Sequence, residues 1–342
     1  MVDSTSSLKE ALFYKKLNGE EVKCLLCPRG CAIAEGKRGF CRNRENQGGT
    51  LYTLVYGKPA VVDIGPIEKA PLYHFIPGHF RLCLTCASCN LRCKHCQNWY
   101  LSQKSFEELD HSSYSPSEIF QQAKKQGLNS VSFTYTEPTV YYEYLYDISA
   151  LARENGMKTS IVSNGYINQE PLLKLLKVLD AVKIDLKGFS EEFYKQVCSA
   201  SLKPVLESLL TVKKENVWLE VVNLVIPTLN DDPKMIDEMC RWIKENLGAE
   251  IPLHFTRFLP NYKLMHLYPT AISTLDSAYD IAKKNGLRYV YIGNVPGHTY
   301  NSSFCPKCGN TLIERTHFTL SKNEIKNGRC IYCQEIIPGI WT

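Results

Sequence analysis

The chain has 342 residues, of which 44% are hydrophobic and 22% charged, a composition that excludes a mainly disordered protein. Its formal net charge of +5 is too mild to predict a nucleic-acid partner, because basic and acidic residues alternate along the chain. The first 16 residues lack an apolar signal-peptide core, and no run of about 18 apolar residues occurs. We therefore expect a cytoplasmic protein without a membrane span.

Residues 1–78 are predicted to form a small metal-binding module that is rich in cysteine. Fifteen cysteines, mostly in C-x2-C pairs, indicate metal or cluster ligands in a reducing compartment rather than disulfides. The N-terminal spacing C-x2-C-x3-C-x9-C favours zinc and leaves an auxiliary iron–sulfur cluster open. The proline-containing segment Gly57–Pro77 is predicted to be a loop. The four candidate ligands are Cys24, Cys27, Cys31 and Cys41.

Residues 79–297 alternate short β-rich runs with helical runs, which predicts βαβ units around a parallel sheet. Ser115-Pro116 and Asp232-Pro233 are helix starts, while Gly127, Gly156, Gly248 and Gly286 mark helix ends. An α/β fold in the form of a partial (β/α)6 barrel fits this pattern best. The predicted strands are Arg81–Thr85, Ser130–Thr136, Lys158–Ser163, Ala181–Leu186, Val217–Ile226, Leu253–Phe258 and Arg288–Ile292.

The segment after the first predicted barrel strand holds Cys89, Cys93 and Cys96 in the spacing C-x3-C-x2-C. Iron–sulfur clusters normally take four cysteines, so three on one loop suggest a four-iron four-sulfur cluster with one iron reserved for an exogenous ligand. A zinc site that borrows Cys83 or Cys86 is the alternative. His95 lies between the second and third cysteines, where it is either a stacking ring or a plain loop histidine.

Polar residues follow the next predicted strands, on the rim where barrel enzymes place their active sites. Glu137 follows the second strand and is either a ligand contact or a carboxylate at a helix start. Ser163 and Asn164 follow the third strand, and Asp185 ends the fourth, although such residues also form turns and surface charge pairs.

Three further polar residues are set within apolar strands, which predicts that they point into the barrel mouth. They are Asn223, His254 and Arg257. Arg257 suits a carboxylate, because a guanidinium group can bind a carboxylate through two hydrogen bonds. Buried, internally paired side chains are the alternative for all three.

Residues 298–342 contain C-x2-C-x21-C-x2-C, a spacing typical of a zinc ribbon. A rubredoxin-like iron site uses the same ligands and stays open. Cys198 and Cys240 lie in helical stretches and are interpreted as packing residues. The four C-terminal ligands are Cys305, Cys308, Cys330 and Cys333.

With these motifs assembled, the chain resembles the radical S-adenosylmethionine (SAM) enzymes of the AmmeMemoRadiSam system, relatives of pyruvate formate-lyase activating enzymes. The resemblance covers nearly the whole length. It is carried by Cys24-Leu-Leu-Cys-Pro-Arg-Gly-Cys, the cluster loop with Cys96-Gln-Asn-Trp, Tyr135-Thr-Glu-Pro-Thr, Ile184-Asp-Leu-Lys-Gly-Phe, His254-Phe-Thr-Arg-Phe and Gly293-Asn-Val-Pro-Gly.

The resemblance implies a SAM-binding partial barrel, a four-iron four-sulfur cluster, a low-potential electron donor and companion proteins of the Memo and AMMECR types. The implied activity is reductive cleavage of SAM to a 5′-deoxyadenosyl radical, which abstracts hydrogen from an unidentified protein or small molecule. His95, Glu137, Ser163, Asn164, Asp185, Asn223, His254 and Arg257 are the implied SAM-facing residues.

Two departures from related patterns affect this interpretation. The approach Thr85-Cys86-Ala87-Ser88 lacks the expected glycine, and Val162 replaces an acidic residue of a cation site in glycyl-radical activating enzymes. A glycyl-radical activase is the alternative enzyme hypothesis. A non-catalytic zinc-binding adaptor is the alternative from a different class.

Overall fold

The computed structural model describes residues 8–342, so Met1–Ser7 lie outside the description. The N-terminal part forms two antiparallel sheets of three strands each, in the orders β1-β6-β5 and β2-β3-β4. Their apolar side chains, including Val22, Leu51 and Val55, join the same hydrophobic core as the barrel helices. The strands are β1 (Lys9–Glu10), β2 (Tyr14–Lys16), β3 (Val22–Cys24), β4 (Ala32–Ile33), β5 (Arg44–Gln47) and β6 (Thr50–Thr53).

The central sheet has eight strands in simple chain order, from β7 at one edge to β14 at the other. The last seven strands are parallel, as the strand–helix alternation predicts. This is the predicted α/β partial barrel, with six βα units and a closing strand. The strands are β7 (Val61–Pro66), β8 (Phe80–Thr85), β9 (Ser130–Phe133), β10 (Lys158–Ser163), β11 (Ala181–Asp185), β12 (Trp218–Val225), β13 (Leu253–Arg257) and β14 (Val290–Gly293).

Strand β7 corrects one prediction, because the segment Gly57–Pro77 is not all loop. Val61–Pro66 pairs antiparallel with β8 and covers the edge of the sheet. Proline is tolerated at the end of an edge strand, where its missing amide hydrogen removes no interior ladder bond. The prolines at this position therefore obscure a strand that pairing with β8 stabilises.

Helices connect the parallel strands and begin and end close to the predicted signals. The Ser115 hydroxyl accepts a hydrogen bond from the Glu118 amide, and the Asp232 carboxylate accepts one from the Lys234 amide. These caps satisfy amide groups that a helix start leaves without intrahelical partners. The helices are α1 (Trp99–Ser102), α2 (Pro116–Lys125), α3 (Tyr142–Glu154), α4 (Gln169–Leu176), α5 (Glu191–Phe193), α6 (Lys203–Lys214), α7 (Pro233–Leu247) and α8 (Ile272–Lys284).

The C-terminal part is a small β module that packs against the last barrel strand. Leu312, Ile313 and Ile337 form an apolar cluster with Tyr289 and Tyr291. Within residues 8–342, no helix combines the length and the apolar character that a membrane crossing requires. The strands are β15 (Ser303–Phe304), β16 (Thr311–Thr316), β17 (Thr319–Asn323), β18 (Ile325–Lys326) and β19 (Arg329–Cys330).

Candidate active site

A cavity of about 380 Å³ opens at the carboxyl-terminal ends of the parallel strands. Loops after β8, β9, β10 and β11 form most of its wall, and β12 and β13 contribute side chains. Catalytic residues of βα barrels gather at this end because several strands deliver side chains to it. The sequence-predicted residues that line the cavity are Cys89, Cys93, His95, Cys96, Glu137, Ser163, Asn164 and Asp185.

The loop that carries the three cysteines is fixed to a neighbouring segment of the barrel. The Arg92 amide donates to the Cys198 carbonyl at 3.0 Å, and the Lys94 amide donates to the Val197 carbonyl at 2.9 Å. Ser88 enters the loop with φ at 76°, the left-handed region in which glycine is favoured. The segment Thr85-Cys86-Ala87-Ser88 therefore adopts a backbone conformation that normally favours glycine, and Ser88 is strained in it.

Hydrogen-bond donors surround the sulfurs of this loop. The Leu91 amide lies 3.3 Å from Cys89 Sγ, and Asn164 Nδ2 lies 3.6 Å from the same sulfur. A 3.1 Å hydrogen bond joins Cys96 Sγ to the Ser102 hydroxyl. Burial raises the pKa of Cys89 and of Cys96, so both thiols keep their protons until a metal displaces them.

The spacing of the three sulfurs bears on the group that they could hold. Among residues 8–342, only the C-terminal cysteines bring three or more ligand atoms within 4.8 Å of one another. Sulfurs around one zinc ion lie about 3.8 Å apart, given the usual zinc–sulfur bond and tetrahedral angles. The sulfurs of Cys89, Cys93 and Cys96 do not all lie within 4.8 Å of one another. Their arrangement fits an iron–sulfur cluster, which binds each cysteine at a different iron.

Three further cysteines near this loop do not line the cavity. Cys83 and Cys86 point to carbonyl oxygens, that of Arg81 at 3.9 Å and that of Val55 at 3.6 Å. Cys198 is fully buried behind the loop, where its hydrogen bond to Cys93, together with burial, raises the pKa of Cys93. Within the described chain the cavity wall therefore presents three cysteines.

Glu137 joins the ends of β9 and β10. Its carboxylate accepts hydrogen bonds from the Thr139 amide at 3.0 Å, the Thr139 hydroxyl at 2.7 Å, the Ser163 hydroxyl at 2.8 Å and the Asn164 amide at 2.8 Å. Burial raises the pKa of Glu137 despite these donors. The residue therefore caps a short helix, as its alternative interpretation stated, and also faces the cavity.

Asp185 lies between two lysines, Lys183 in the same strand and Lys187 in the loop that follows it. Lys183 Nζ donates to one carboxylate oxygen, and Lys187 Nζ lies 3.2 Å from the other. Burial opposes ionisation of Asp185, but the two cations outweigh it and lower its pKa. All three residues line the cavity. The aspartate is thus an anion that two ammonium groups hold in place.

His95 is buried beside the cysteine loop with its ring near that of Phe193, the ring centroids being 6.4 Å apart. Burial lowers the pKa of His95 to about 3, so the imidazole is neutral at physiological pH. Its Nδ1 has no hydrogen-bond partner. This neutral ring lines the cavity with a free nitrogen.

Asn223, His254 and Arg257 do not line the cavity, in contrast to the prediction that they point into the barrel mouth. Asn223 Nδ2 donates to the Leu186 carbonyl at 2.7 Å. His254 lies deeper in the barrel, with Nε2 at 2.7 Å from a Glu220 carboxylate oxygen. Arg257 Nε donates to a backbone carbonyl at 2.9 Å. Each is engaged internally, which is the alternative that the sequence left open.

The cavity also contains cations that the sequence did not single out, namely Lys69, Arg81 and Lys183. They line it together with Lys187, which follows Asp185 on the predicted rim. Arg81 is 2% exposed, and its Nε has no hydrogen-bond partner. Strand alternation is the signal that could have found Lys183, because it lies two residues before Asp185 on the same face.

The C-terminal cysteines form a compact group in which Cys305 and Cys333 sulfurs are 3.5 Å apart, and Cys308 and Cys330 sulfurs 3.8 Å apart. All four lie within 4.8 Å of one another, a separation that suits one tetrahedral ion. This part of the chain fits a metal-binding module. The N-terminal cysteines line a second, smaller cavity beside the barrel.

Comparison with known proteins gives concordant results. The sequence profile of the Radical SAM superfamily matches residues 84–243. An uncharacterized protein of Methanocaldococcus jannaschii is 48% identical over 332 residues, which are 96% of this chain and 99% of the relative. The pyruvate formate-lyase-activating enzyme of Clostridium pasteurianum is 27% identical over 191 residues, covering 52% of this chain and 77% of that enzyme.

A crystal structure of Streptococcus suis SuiB bound to S-adenosylmethionine aligns with 67% of this chain and 53% of its own, at 15% identity and a TM-score of 0.49. The profile match spans the cysteine loop and strands β9 to β12, which build the cavity. Cavity, cysteine loop and sequence similarity lead to one assignment. Residues 84–243 of the chain carry the Radical SAM superfamily domain, and the chain is similar in sequence to pyruvate formate-lyase activating enzymes.

Proposed function

We propose that this protein cleaves SAM reductively at a four-iron four-sulfur cluster held by Cys89, Cys93 and Cys96. The observation that carries the proposal is the set of three thiols, not all within 4.8 Å of one another, on the wall of a barrel-end cavity. When bound, the cluster and SAM supply a 5′-deoxyadenosyl radical that abstracts hydrogen from a substrate. The Radical SAM superfamily domain implies both groups.

The chain's own residues shape the place in which SAM would lie. Glu137 ties the third-strand loop to the second through its bonds with Ser163 and Asn164, so these polar groups keep a fixed geometry. Asn164 also reaches the sulfur of Cys89, which couples the rim to the cluster loop. We assign the SAM-facing positions to these residues, together with His95 and Asp185. Preorganised polar groups of this kind spare the cost of ordering them during the reaction.

We propose further that the substrate carries an anionic group. Arg81 and Lys183 are 2% and 4% exposed, and both line the cavity together with Lys69. A buried donor without a partner is costly, and the Arg81 Nε is such a donor. A carboxylate or phosphate would satisfy it, because guanidinium matches either group geometrically. This charge pattern favours a small anionic substrate.

An activase that installs a glycyl radical in a partner enzyme is the second candidate. Similarity to the pyruvate formate-lyase-activating enzyme favours it. Asp185 lines the cavity, as a carboxylate of an activase cation site would, but the neutral Val162 lines the cavity as well. A partner protein that acquires a glycyl radical would support this candidate, and a modified small product would support the first.

The proposed partners follow from the same chemistry. A low-potential electron donor is required to reduce the cluster, and the resemblance adds Memo-like and AMMECR-type companion proteins. Zinc is our proposal for the C-terminal module, where sulfur separations of 3.5 and 3.8 Å match a single tetrahedral ion.

Anaerobic reconstitution with iron and sulfide, followed by reduction in the presence of SAM, tests the proposed function. We expect 5′-deoxyadenosine to form and Cys93→Ala to abolish it. Cys240→Ala is the matched control, because Cys240 is a buried helical cysteine outside the cavity. A colourless protein that holds zinc and leaves SAM intact would support the adaptor hypothesis instead.

A further inference from the structure

We propose that Cys24, Cys27, Cys31 and Cys41 hold a second iron–sulfur cluster, ligated by the protein alone, directly beside the barrel site. The four cysteines line one cavity, which apolar residues of the N-terminal module and of the barrel complete. Its further lining includes Leu26, Ile33, Arg44, Asn90 and Val140.

The separation of the sulfurs argues for a cluster rather than a single ion. No three of these four sulfurs lie within 4.8 Å of one another, since the C-terminal cysteines form the only such group in residues 8–342. One zinc ion needs separations of about 3.8 Å. The same structure meets that requirement at the C-terminal module, with separations of 3.5 and 3.8 Å. The N-terminal sulfurs are therefore not gathered around one point as the C-terminal sulfurs are, and a cluster, which binds each cysteine at a different iron, does not require them to be.

Arg44 provides an independent observation. It lines the cavity, is 1% exposed and forms an ion pair with the equally buried Glu143. Its Nη1 lies 3.7 Å from Cys24 Sγ, while its Nε has no hydrogen-bond partner. A buried donor that is left without a partner destabilises the folded state. Inorganic sulfides of a cluster would bring new acceptors into the cavity, whereas a zinc ion would bring none.

The backbone around the cysteines also suits sulfur ligands. The Phe40 amide lies 3.4 Å from Cys31 Sγ. A Cβ placed on the neighbouring Gly39 would lie 3.8 Å from that sulfur and 3.3 Å from Ile33 Cδ1, so a side chain would crowd the cavity wall. Amide donors to sulfur tune the potential of iron–sulfur clusters. This loop therefore offers an amide donor to one of the sulfur ligands of a cluster.

The position of the N-terminal set relative to the barrel loop suggests its role. Asn90 follows Cys89 directly and lines the N-terminal cavity. The Arg29 Nε donates to the Asn90 carbonyl at 2.9 Å, and Asn164 Nδ2 reaches both Asn90 Oδ1 at 2.9 Å and Cys89 Sγ at 3.6 Å. Asn90 thus links the N-terminal cavity to the barrel loop.

A cluster with four cysteine ligands has no open iron, so electron transfer is the chemistry left to it. The reduced N-terminal cluster would give one electron to the oxidised barrel cluster and return to its own oxidised state. A low-potential one-electron donor would then reduce it again. The N-terminal module would therefore pass electrons from an external donor to the active site.

The triple variant Cys89→Ala/Cys93→Ala/Cys96→Ala, reconstituted anaerobically with iron and sulfide, tests the proposal without the barrel cluster. We expect about two to four irons per chain with a similar amount of acid-labile sulfide. Adding Cys27→Ala and Cys41→Ala should abolish the sulfide. Labile sulfide distinguishes this site from a mononuclear iron in the C-terminal module. A triple variant that is folded by circular dichroism but holds zinc and no sulfide would overturn the proposal.

A second measurement keeps the test independent of the stability of the triple variant. In the chain with an intact barrel loop, Cys27→Ala/Cys41→Ala should lower labile sulfide by about one third to one half, for a second cluster of two or four irons. The matched control, Cys305→Ser/Cys308→Ser, should leave it unchanged. Equal sulfide in the wild type and in the Cys27→Ala/Cys41→Ala variant would refute a second cluster.

Discussion

The barrel loop and the C-terminal module both present cysteines to a metal, but they do so in different geometries. The C-terminal module gathers four sulfurs within 4.8 Å from two separated C-x2-C pairs. The barrel loop presents three sulfurs, not all within 4.8 Å of one another, on the wall of a 380 Å³ cavity. The first arrangement closes around one ion, and the second leaves room for a ligand. The number and the spacing of the thiols therefore distinguish a structural site from a reactive one.

The pKa values of individual cysteines also vary within and between the two regions. Backbone and side-chain hydrogen bonds involving Asn310 lower the pKa of the exposed Cys308 to about 6. Burial instead raises the pKa of Cys89 and Cys96 in the barrel loop. A buried loop holds its protons until a strongly bound group replaces them. In the C-terminal module a backbone hydrogen bond from Glu335 lowers the pKa of Cys333, but desolvation and hydrogen bonds with the neighbouring cysteines outweigh it and raise that pKa to about 12. The C-terminal thiols therefore do not all share the shift of Cys308.

The largest expected effect separates the two regions by activity. Cys93→Ala should remove the barrel cluster and reduce 5′-deoxyadenosine formation to background, because two cysteines cannot hold the cluster. Cys305→Ser/Cys308→Ser should lower solubility while the barrel cluster persists. Product chromatography and iron analysis measure both outcomes. Loss of the barrel cluster in the C-terminal variant alone would show that the two regions are not independent.

Asp185→Asn should produce the next largest effect, on stability. The substitution leaves the buried Lys183 and the partly buried Lys187 without their shared anion, and we expect the free energy of unfolding to fall by about 2–3 kcal/mol. Urea denaturation of the anaerobic protein measures it. Asp237→Asn, which breaks an exposed pair with Arg241, is the matched control and should have little effect. Equal destabilisation by both substitutions would contradict a special contribution of the Asp185 ion pairs to stability.

Much of this architecture could be predicted from the sequence. Each predicted barrel strand overlaps an observed one, and α2 and α7 begin at the prolines that follow Ser115 and Asp232. Rim residues such as Glu137 and Asn164 could be placed because parallel strands end at one edge. These successes rest on local signals, which tertiary packing reinforces.

Depth along a strand was not predictable in the same way. His254 and Thr256 lie on one face of β13, yet only Thr256 reaches the cavity, because two residues separate the mouth from the deeper core. Asn223 lies on the opposite face of its strand from the cavity-lining Val222. Strand β7 escaped notice because prolines surround its β-branched residues, and because its pairing with β8 cannot be read from the sequence.

A moderate effect should appear in acid, and it concerns the polar core below the cavity. Burial lowers the pKa of His74 to about 4, so the unfolded state binds its proton first as the pH falls below about 6.5. Burial opposes ionisation of Glu220, but His254 outweighs it and lowers the Glu220 pKa to about 2. The lowered pKa values of His74 and Glu220 both stabilise the folded state at neutral pH, and this stabilisation is lost as the pH falls.

We therefore expect the urea midpoint to fall between pH 6.5 and pH 4. His74→Gln should flatten this pH dependence, while His111→Gln, which alters an exposed histidine, should leave it unchanged. An identical slope in the wild type and in His74→Gln would contradict the assignment.

The smallest expected effect concerns a single hydrogen bond to the cluster loop. Ser102→Ala removes the 3.1 Å contact with Cys96 Sγ, and we expect iron release from the barrel site to a chelator to become about tenfold faster. Ser113→Ala, at an exposed position, is the control. Metal release from the C-terminal module should be unaffected. An unchanged rate in Ser102→Ala would show that this bond does not stabilise the cluster.

The most direct test of an open iron in the barrel loop is electron–nuclear double resonance on the reduced protein mixed with SAM, labelled in its amino nitrogen and carboxylate carbon. We predict that both nuclei couple to the cluster, in the wild type and equally in Cys198→Ala. A cluster that shows neither coupling, and whose spectrum changes on loss of Cys198, would mean that the protein itself fills the fourth position.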